Sequence, residues 1–392
     1  MATYFPNVTL FDGRAAKTKQ GVLVSNGTIS WVGAHARAPR DARNAKEVSK
    51  PGTTLTPGFI DCHVHLCFDG DADIVAETQG LNAARATLKT FRNGLRQLEH
   101  GVTTVRDLGG FDFTVCETAK AIAEGLVEGP RMVASGRALT ITGGHGSGLF
   151  AQEVNGPDAV RAGVREQIKG GATSIKVIAT GGVLTPGVPV AFTAFTPEEL
   201  EAAVDEAHKW GRPVAAHAIG AAGIENAVRA GVDSIEHGSQ IPAPVARMMK
   251  ERGTFHVPTI SAVRGIIDHP DEVPAYAVEK GNMIAEQARE SFRRAMRAGV
   301  RPACGTDAGT PFNPHGNGPL EVVRMVEWGL TPLKALQSAT ANAAELLRVP
   351  EIGTVEEGKA ADLVLWKGNP LDDIDAVLKP ALVMKAGEAV TG

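Results

Sequence analysis

Gly58-Phe-Ile-Asp-Cys-His63-Val-His65 is a short apolar run that closes on two imidazoles. Its length and its flanking turn residues read as a buried strand. Seven further runs of the same texture follow, at 102–106, 131–135, 174–179, 213–217, 234–237, 254–260 and 301–306. Amphipathic stretches lie between them, for example 77–99, 197–210, 285–298 and 332–347. Thr196-Pro197-Glu198-Glu199 offers an N-cap, a proline at the first helical position and acidic first-turn residues, so a helix begins there. Gly101, Gly171, Gly231, Gly253 and Gly299 each stand between a helical stretch and the next strand, the usual place for a helix stop. Eight strand–helix units in about 290 residues is the arithmetic of an α/β fold of the (β/α)8 TIM-barrel kind. A doubly wound open sheet is the structural alternative.

The two ends have another texture. Residues 5–11, 21–24 and 28–32 read as strands, and Asn26-Gly27 between the last two is a strong hairpin signal because both residues tolerate positive φ. Residues 361–366 and 380–387 at the other end are equally strand-rich. A small β-sandwich domain built jointly from 1–56 and 351–392, with the barrel at 57–350 inserted between them, explains both ends.

Composition narrows the function. Apolar residues make up 43% of the 392 and charged residues 21%, ordinary for a folded chain. The formal charge is −4 with no basic block, which argues against a nucleic-acid partner. No run approaches the roughly twenty apolar residues of a membrane span. The start, MATYFPNVTLFDGR, lacks the basic residues and apolar run of a signal peptide. Four cysteines, Cys62, Cys67, Cys116 and Cys304, do not make a disulfide framework in so long a chain. These features predict a cytoplasmic enzyme that acts on a small molecule, with no membrane or nucleic-acid partner; a homo-oligomer is expected.

Ligand-type residues fall at or just past strand ends, where barrels build their sites. His63 and His65 are two apart in an extended segment, so their rings share one side and can reach one cation. His217, His237 and Asp307 close three other strands. A lone histidine is more often structural, but four strand ends presenting ligands together are not explained that way. Lys176 sits on the fourth strand. An ammonium inside a barrel near cations is unfavourable, so the amine should be neutral and able to capture carbon dioxide as a bridging carbamate; an ion pair with Asp307 is the alternative, and spacing does not choose between them. Cys62 points away from its neighbour His63 and reads as packed. His35, His100, His208 and His269 read as structural, and His256 lies at the wrong end of its strand. His315, in the loop after the eighth strand, is a candidate substrate contact.

Pro57-Gly-Phe-Ile-Asp-Cys-His-Val-His65, Lys176, His217, Glu236-His237-Gly238 and Gly305-Thr-Asp307 resemble, in order, the pattern of the amidohydrolase superfamily. The resemblance extends over essentially the whole chain, to the closing Gly353-Thr-Val-Glu-Glu-Gly-Lys-Ala-Ala-Asp-Leu-Val364. It implies that His63 and His65 bind the more buried of two divalent metals, that carboxylated Lys176 bridges, and that His217 and His237 bind the second. Asp307 would ligate and shuttle the proton. The metals implied are zinc, with manganese or cobalt as alternatives. Gly101-Val-Thr-Thr-Val-Arg-Asp-Leu-Gly-Gly110, Thr140-Ile-Thr-Gly-Gly-His145-Gly146 and Ala179-Thr-Gly-Gly-Val183 resemble the branch of imidazolonepropionase-related proteins and Xaa-Pro or Xaa-Lys/Arg dipeptidases. There a histidine at the position of His145 faces the substrate carbonyl. One departure stands out: dipeptidase-like members read His-Ala-Tyr-Gly where this chain has His217-Ala-Ile219-Gly220. Loss of the phenol leaves an apolar wall against the substrate. The implied reaction is hydrolysis of an amide-like carbon–nitrogen bond in a hydrophobic or aromatic N-acyl amino acid, carbamate, urea or dipeptide. A dipeptidase proper, a lactonase and a mononuclear deaminase are the alternatives; the filled ligand positions count against a non-catalytic scaffold, and Lys176 counts against a mononuclear site.

Overall fold

The computed structural model describes residues 2–48 and 52–390. Strands Ala16–Ser25 and Thr28–Ala34 are joined by Asn26 and Gly27, both at positive φ (52° and 78°), the two-residue turn whose twist matches its strands. These strands belong to an eight-stranded sheet in which both ends of the chain meet: Leu363–Lys367 runs antiparallel to Thr53–Pro57, with Leu363 opposite Pro57 and Leu365 opposite Leu55. Side-chain alternation divides this sheet into two faces. Leu363 and Leu365 pack with Phe5, Leu10, Val22 and Ile29. Val364 and Trp366 turn the other way, onto Phe59, Val102 and Val105 of the central part of the chain.

That central part is built on two all-parallel sheets. Phe59–Val64, Val102–Asp107 and Arg131–Ala134 form one. The other holds Ile175–Ile178, Val214–Ala218, Ser234–His237 and Phe255–Val257 in that order, with Ala138–Thr140 and Ala151–Glu153 at its edge. The strands are buried almost without interruption, as sheets covered by helices are. Backbone bonds also run between the sheets. The amides of Thr173 and Ser174 donate to Ala134 O (2.8 and 3.2 Å). On the other side the 301–308 segment is bonded to both: His256 N donates to Arg301 O (3.0 Å), Cys62 N to Cys304 O (2.8 Å) and Asp307 N to His63 O (2.7 Å).

Four expectations need correcting. Residues 301–306 form no regular strand, only isolated bridges from Pro302 to His256 and from Ala308 to Val64. Pro302 has no N–H to give, and Asp307 sits at φ 59°, which ends any extended run. The helix expected at 77–99 is two helices, Ile74–Gln79 and Ala83–Glu99, the second restarted by Asn82, whose side chain accepts from Arg85 N (3.0 Å). The 332–347 stretch likewise splits into Pro332–Ser338 and Ala341–Leu347. The helix expected at 285–298 begins ten residues earlier, at Ala275. Thr196 and Glu199 form the reciprocal capping box at the head of Pro197–Lys209. Among the described residues no helix is long and apolar enough to cross a membrane.

Gly101 joins the two parts. It lies at φ 87°, and a Cβ there would sit 2.8 Å from the fully buried Trp366 ring, whose indole N–H donates to Thr56 Oγ1 (2.9 Å). Gly101→Ala should therefore lose roughly 2–4 kcal/mol through positive φ and overpacking together. Gly125 is the control: it has φ 73° with nothing within 4 Å of an added Cβ, so Gly125→Ala carries the φ term alone. The apparent melting temperatures of the two variants check this; equal shifts would show that the Trp366 contact has no weight.

Candidate active site

Strand ends gather the site. His63 and His65 leave the Phe59–Val64 strand side by side, their rings 5.4 Å apart. Lys176 lies within Ile175–Ile178, His217 within Val214–Ala218 and His237 at the end of Ser234–His237. The parallel register sets Ile178 beside His217 and Ala218 beside His237. The His217 and His237 rings are 4.6 Å apart, and His237 is 5.3 Å from His63. Asp307 reaches the same place from 301–308, with Oδ1 3.3 Å from His63 Nε2 and 3.2 Å from His65 Nε2. His237 (φ 67°) and Asp307 (φ 59°) are both left-handed, a conformation that non-glycine residues hold only under local constraint.

Each imidazole is oriented by a second contact, which fixes the nitrogen that remains free. His63 Nδ1 donates to Glu236 Oε2 (2.9 Å) and His65 Nδ1 to Gly109 O (2.7 Å), so Nε2 is free on both. His237 Nδ1 meets Thr259 Oγ1 (2.7 Å), again freeing Nε2. His217 differs: its Nε2 donates to Gly181 O (2.8 Å), leaving Nδ1. Sequence reading missed these supports. Arg106, fully buried, bonds Glu236 Oε1 (2.9 Å), and Asp107 accepts from Gly109 N (3.1 Å) to hold the carbonyl that His65 needs. Asp61 accepts from Thr306 N and Oγ1 and from His63 N, tying the first strand to 301–308. Arg106 and Asp61 stood inside quoted motifs; only a charged residue amid an apolar run could have signalled them.

The electrostatics follow from burial. Burial first, then the nearby Lys176, holds His63 well below the usual imidazole range. Burial and neighbouring imidazoles do the same to His217 and His237, so all three rings are neutral. Burial lowers Lys176 to about 8. Its Nζ lies 3.3 Å from His63 Nε2, and it makes no ion pair within 4 Å among the described residues. Burial opposes ionisation of Asp307, but His63 and His65 outweigh it and hold the carboxyl below its ordinary range. Asp307 Oδ1 is buried with no hydrogen-bond partner, although two imidazole nitrogens face it. His65 is the exception, since Asp307 and Asp107 outweigh burial and raise it above the usual imidazole range; imidazole nitrogens converging with a carboxylate are nonetheless the donor types of a divalent cation, so the residues present fit a metal.

His145 approaches from 141–150, with its ring 4.6 Å from that of His217. Its Nδ1 bonds Thr185 Oγ1 (2.7 Å), which also accepts from Gly146 N (3.1 Å). The hydroxyl has one hydrogen to give, and in the tautomer in which it donates to Nδ1 the ring proton sits on Nε2. Burial lowers His145 to about 3 and keeps it neutral. Above these groups lies a cavity. Ile219 lines it, with Val183 of the quoted 179–183 motif and with Phe150, Leu184, Ile266 and Ile284, which the sequence did not single out. His315 is elsewhere: its Nε2 donates to Phe68 O (2.8 Å), its Nδ1 faces Gln97 (3.3 Å), and it is not in the cavity wall.

Comparison with known proteins gives the family. Residues 54–390 match the amidohydrolase family. Ochratoxinase of Aspergillus niger is 35% identical over 393 residues, covering 92% of this chain and 80% of that protein. Imidazolonepropionase of Mesorhizobium japonicum is 27% identical over 91% of this chain and 89% of its own. The crystal structure of a Xaa-Pro dipeptidase with bound methionine in its active site superposes with a TM-score of 0.92 at 33% identity, with both chains covered completely. The chain belongs to the amidohydrolase family and is a hydrolase of carbon–nitrogen bonds.

Proposed function

We propose that this protein is a binuclear metal-dependent amidohydrolase that cleaves an amide-like bond in substrates carrying hydrophobic or aromatic groups. The observation that carries this reading is the convergence of His63, His65, Lys176, His217, His237 and Asp307 beneath a largely aliphatic cavity. On this reading the two parallel sheets and 301–308 close as a (β/α)8 barrel over 57–350, with its site at the strand ends. The joint terminal sheet is a separate β-sandwich domain of 1–56 and 351–392. Four unpaired, buried cysteines suit a reducing compartment such as the cytoplasm.

His63 Nε2, His65 Nε2 and Asp307 Oδ1 would hold one cation, and His217 Nδ1 and His237 Nε2 the other. Carboxylated Lys176 would bridge them, formed when the neutral amine attacks carbon dioxide and releases a proton. Nitrogen-rich ligation suits zinc, and manganese or cobalt could take the same donors. Bound there, such a pair supplies a water ionised near neutral pH and a Lewis acid for the substrate carbonyl. The protein's own groups do the rest. Asp307 accepts the proton of the attacking water and delivers it to the leaving nitrogen. His145 donates Nε2–H to the carbonyl oxygen as it becomes an oxyanion, and neutrality suits it to donate without adding charge. Ile219 and its aliphatic neighbours receive the apolar flank of the substrate. The named activities of the relatives, an ochratoxinase and a Xaa-Pro dipeptidase, support an amide-like bond.

Metal analysis, variant activities and substrate kinetics test this reading. Elemental analysis of active protein should find about two divalent metals per chain, and chelators should inactivate it. Lys176→Ala should lose metal and most activity, with partial rescue by short carboxylic acids. One metal per chain at full activity contradicts the binuclear site.

His145→Ala should lower kcat by ~10²–10³-fold with metal content intact. Gly182→Ala should act in the same direction, because a Cβ at 182 would lie 2.4 Å from His145 Nε2 and displace the ring. Loss of metal from His145→Ala would instead make His145 a ligand.

Kinetics should show broad acceptance of aryl amides, carbamates and ureas and weak activity on charged dipeptides. Ile219→Tyr should move the preference toward dipeptides. A wild type that already favours a charged dipeptide by orders of magnitude supports the dipeptidase reading instead.

A further inference from the structure

The segment between Ile175–Ile178 and Pro197–Lys209 makes an excursion pinned at its base by the Thr180–Thr193 bridge and by Gly181 N donating to Phe192 O (2.8 Å). Much of the site depends on it. Gly181 O orients His217, Thr185 Oγ1 orients His145, Gly182 leaves room for the His145 ring, and Val183 and Leu184 form part of the cavity wall. Yet 181–192 contains neither helix nor strand. Its own backbone does little to hold it.

The support comes from the first two turns of the helix Ala275–Ala298. Tyr276 OH donates to Leu184 O (3.1 Å). Lys280 Nζ donates to Gly182 O (3.2 Å), Thr185 O (2.7 Å) and Val188 O (2.8 Å), which uses all three hydrogens of the ammonium. Lys280 makes no ion pair within 4 Å among the described residues; the loop carbonyls are its partners. One turn further on, Ile284 enters the cavity wall, and Ala277 and Ile284 pack with Val183, Val190 and Ile219. Positions 277, 280 and 284 share one face of the helix. That face therefore sets an apolar contact beneath the excursion and a cation against its carbonyls.

We propose that Lys280 is a positioning residue for the hydrolytic reaction: its ammonium gathers the 182–188 carbonyls and thereby fixes where Thr185 holds His145 and where Val183 and Leu184 close the apolar wall. The inference rests on the catalytic reading of His145 above. Lys280 touches no reacting atom and acts only through the loop.

The test uses Lys280→Met in the full-length, metal-loaded protein, since methionine keeps an apolar stem and removes every donor. Hydrogen exchange followed by mass spectrometry should rise at 181–190 while the strands keep their protection. Turnover should fall by about tenfold to a hundredfold, because small displacements of a catalytic group have effects of that order. In a His145→Ala background the same substitution should lower kcat by less than about twofold, since the group it positions is gone. Tyr276→Phe removes a single donor and serves as the milder variant if Lys280→Met does not fold; it should show the same pattern at smaller amplitude. Unchanged exchange at 181–190 overturns the clamp itself. A loss of turnover that persists in full in the His145→Ala background overturns the route through His145 and leaves a general structural role. Raised exchange together with a fully active His145→Ala enzyme overturns the proposal through the reading it rests on, and the two failures are thereby told apart.

Discussion

A buried charge chain crosses the interior from one parallel sheet to the other. Arg106, from Val102–Asp107, donates to Cys62 O (2.6 Å) on its own sheet and to Ser234 Oγ and Glu236 Oε1 on the opposite one. Glu236 passes the constraint on by accepting from His63 Nδ1 (2.9 Å). A guanidinium and a carboxylate with no exposure are costly to bury and tolerable only when their hydrogen bonds are made, so the arrangement admits few alternatives. Its worth lies in what it specifies. The relative placement of the two sheets and the orientation of the deepest imidazole are set by the same pair of ions.

The strand ends show the consequence. Because Glu236 is fixed from within, its neighbour His237 turns out of the strand at φ 67° into the site, where Thr259, itself at φ 50°, meets its Nδ1. His256, buried on the adjacent strand, donates to His237 O (2.9 Å) and steadies that strained residue. On the other side Asp61 binds both His63 N and Thr306, so Asp307 emerges at a fixed distance from His63 and His65. The lone pairs that face one another around Asp307 Oδ1 are thus held together by charges and hydrogen bonds lying a layer deeper.

This layering explains what could be read from the sequence. Strand ends were legible because burial on both faces writes long apolar runs, and a histidine closing such a run stands out, as in Phe59–Val64 and Val214–Ala218. Asn26-Gly27 was legible because positive φ at two successive residues restricts the chemistry severely. The 301–308 segment was not, because its pairing is broken by Pro302 and by the turn at Asp307, a long-range outcome that no local propensity records. His256 lies at the wrong end of its strand to reach the site, yet it bonds a backbone carbonyl on the neighbouring strand. His315 stood in a loop of plausible position, but Phe68 O and Gln97 engage its two nitrogens. Neither fact has a signature in residue type.

The cavity wall was the least legible part, for a physical reason that bears on specificity. Val183, Leu184, Ile266 and Ile284 come from two helices and an irregular excursion, and aliphatic residues there look like any packed core. The candidate ligands are held by short strands and buried ions, whereas Val183 and Leu184 of the cavity wall are held by loop carbonyls resting on one helix. Aliphatic contacts separate neighbouring substrates by only ~1–3 kcal/mol per methylene, while a buried polar contact discriminates far more sharply. On the proposed reading, with Ile219 where a phenol would supply such a contact, selection falls to shape, and part of that shape is a loop with no regular structure. If the proposed site is the one used, how narrowly this enzyme chooses its substrates depends on how firmly 181–192 is seated as well as on which side chains line the cavity.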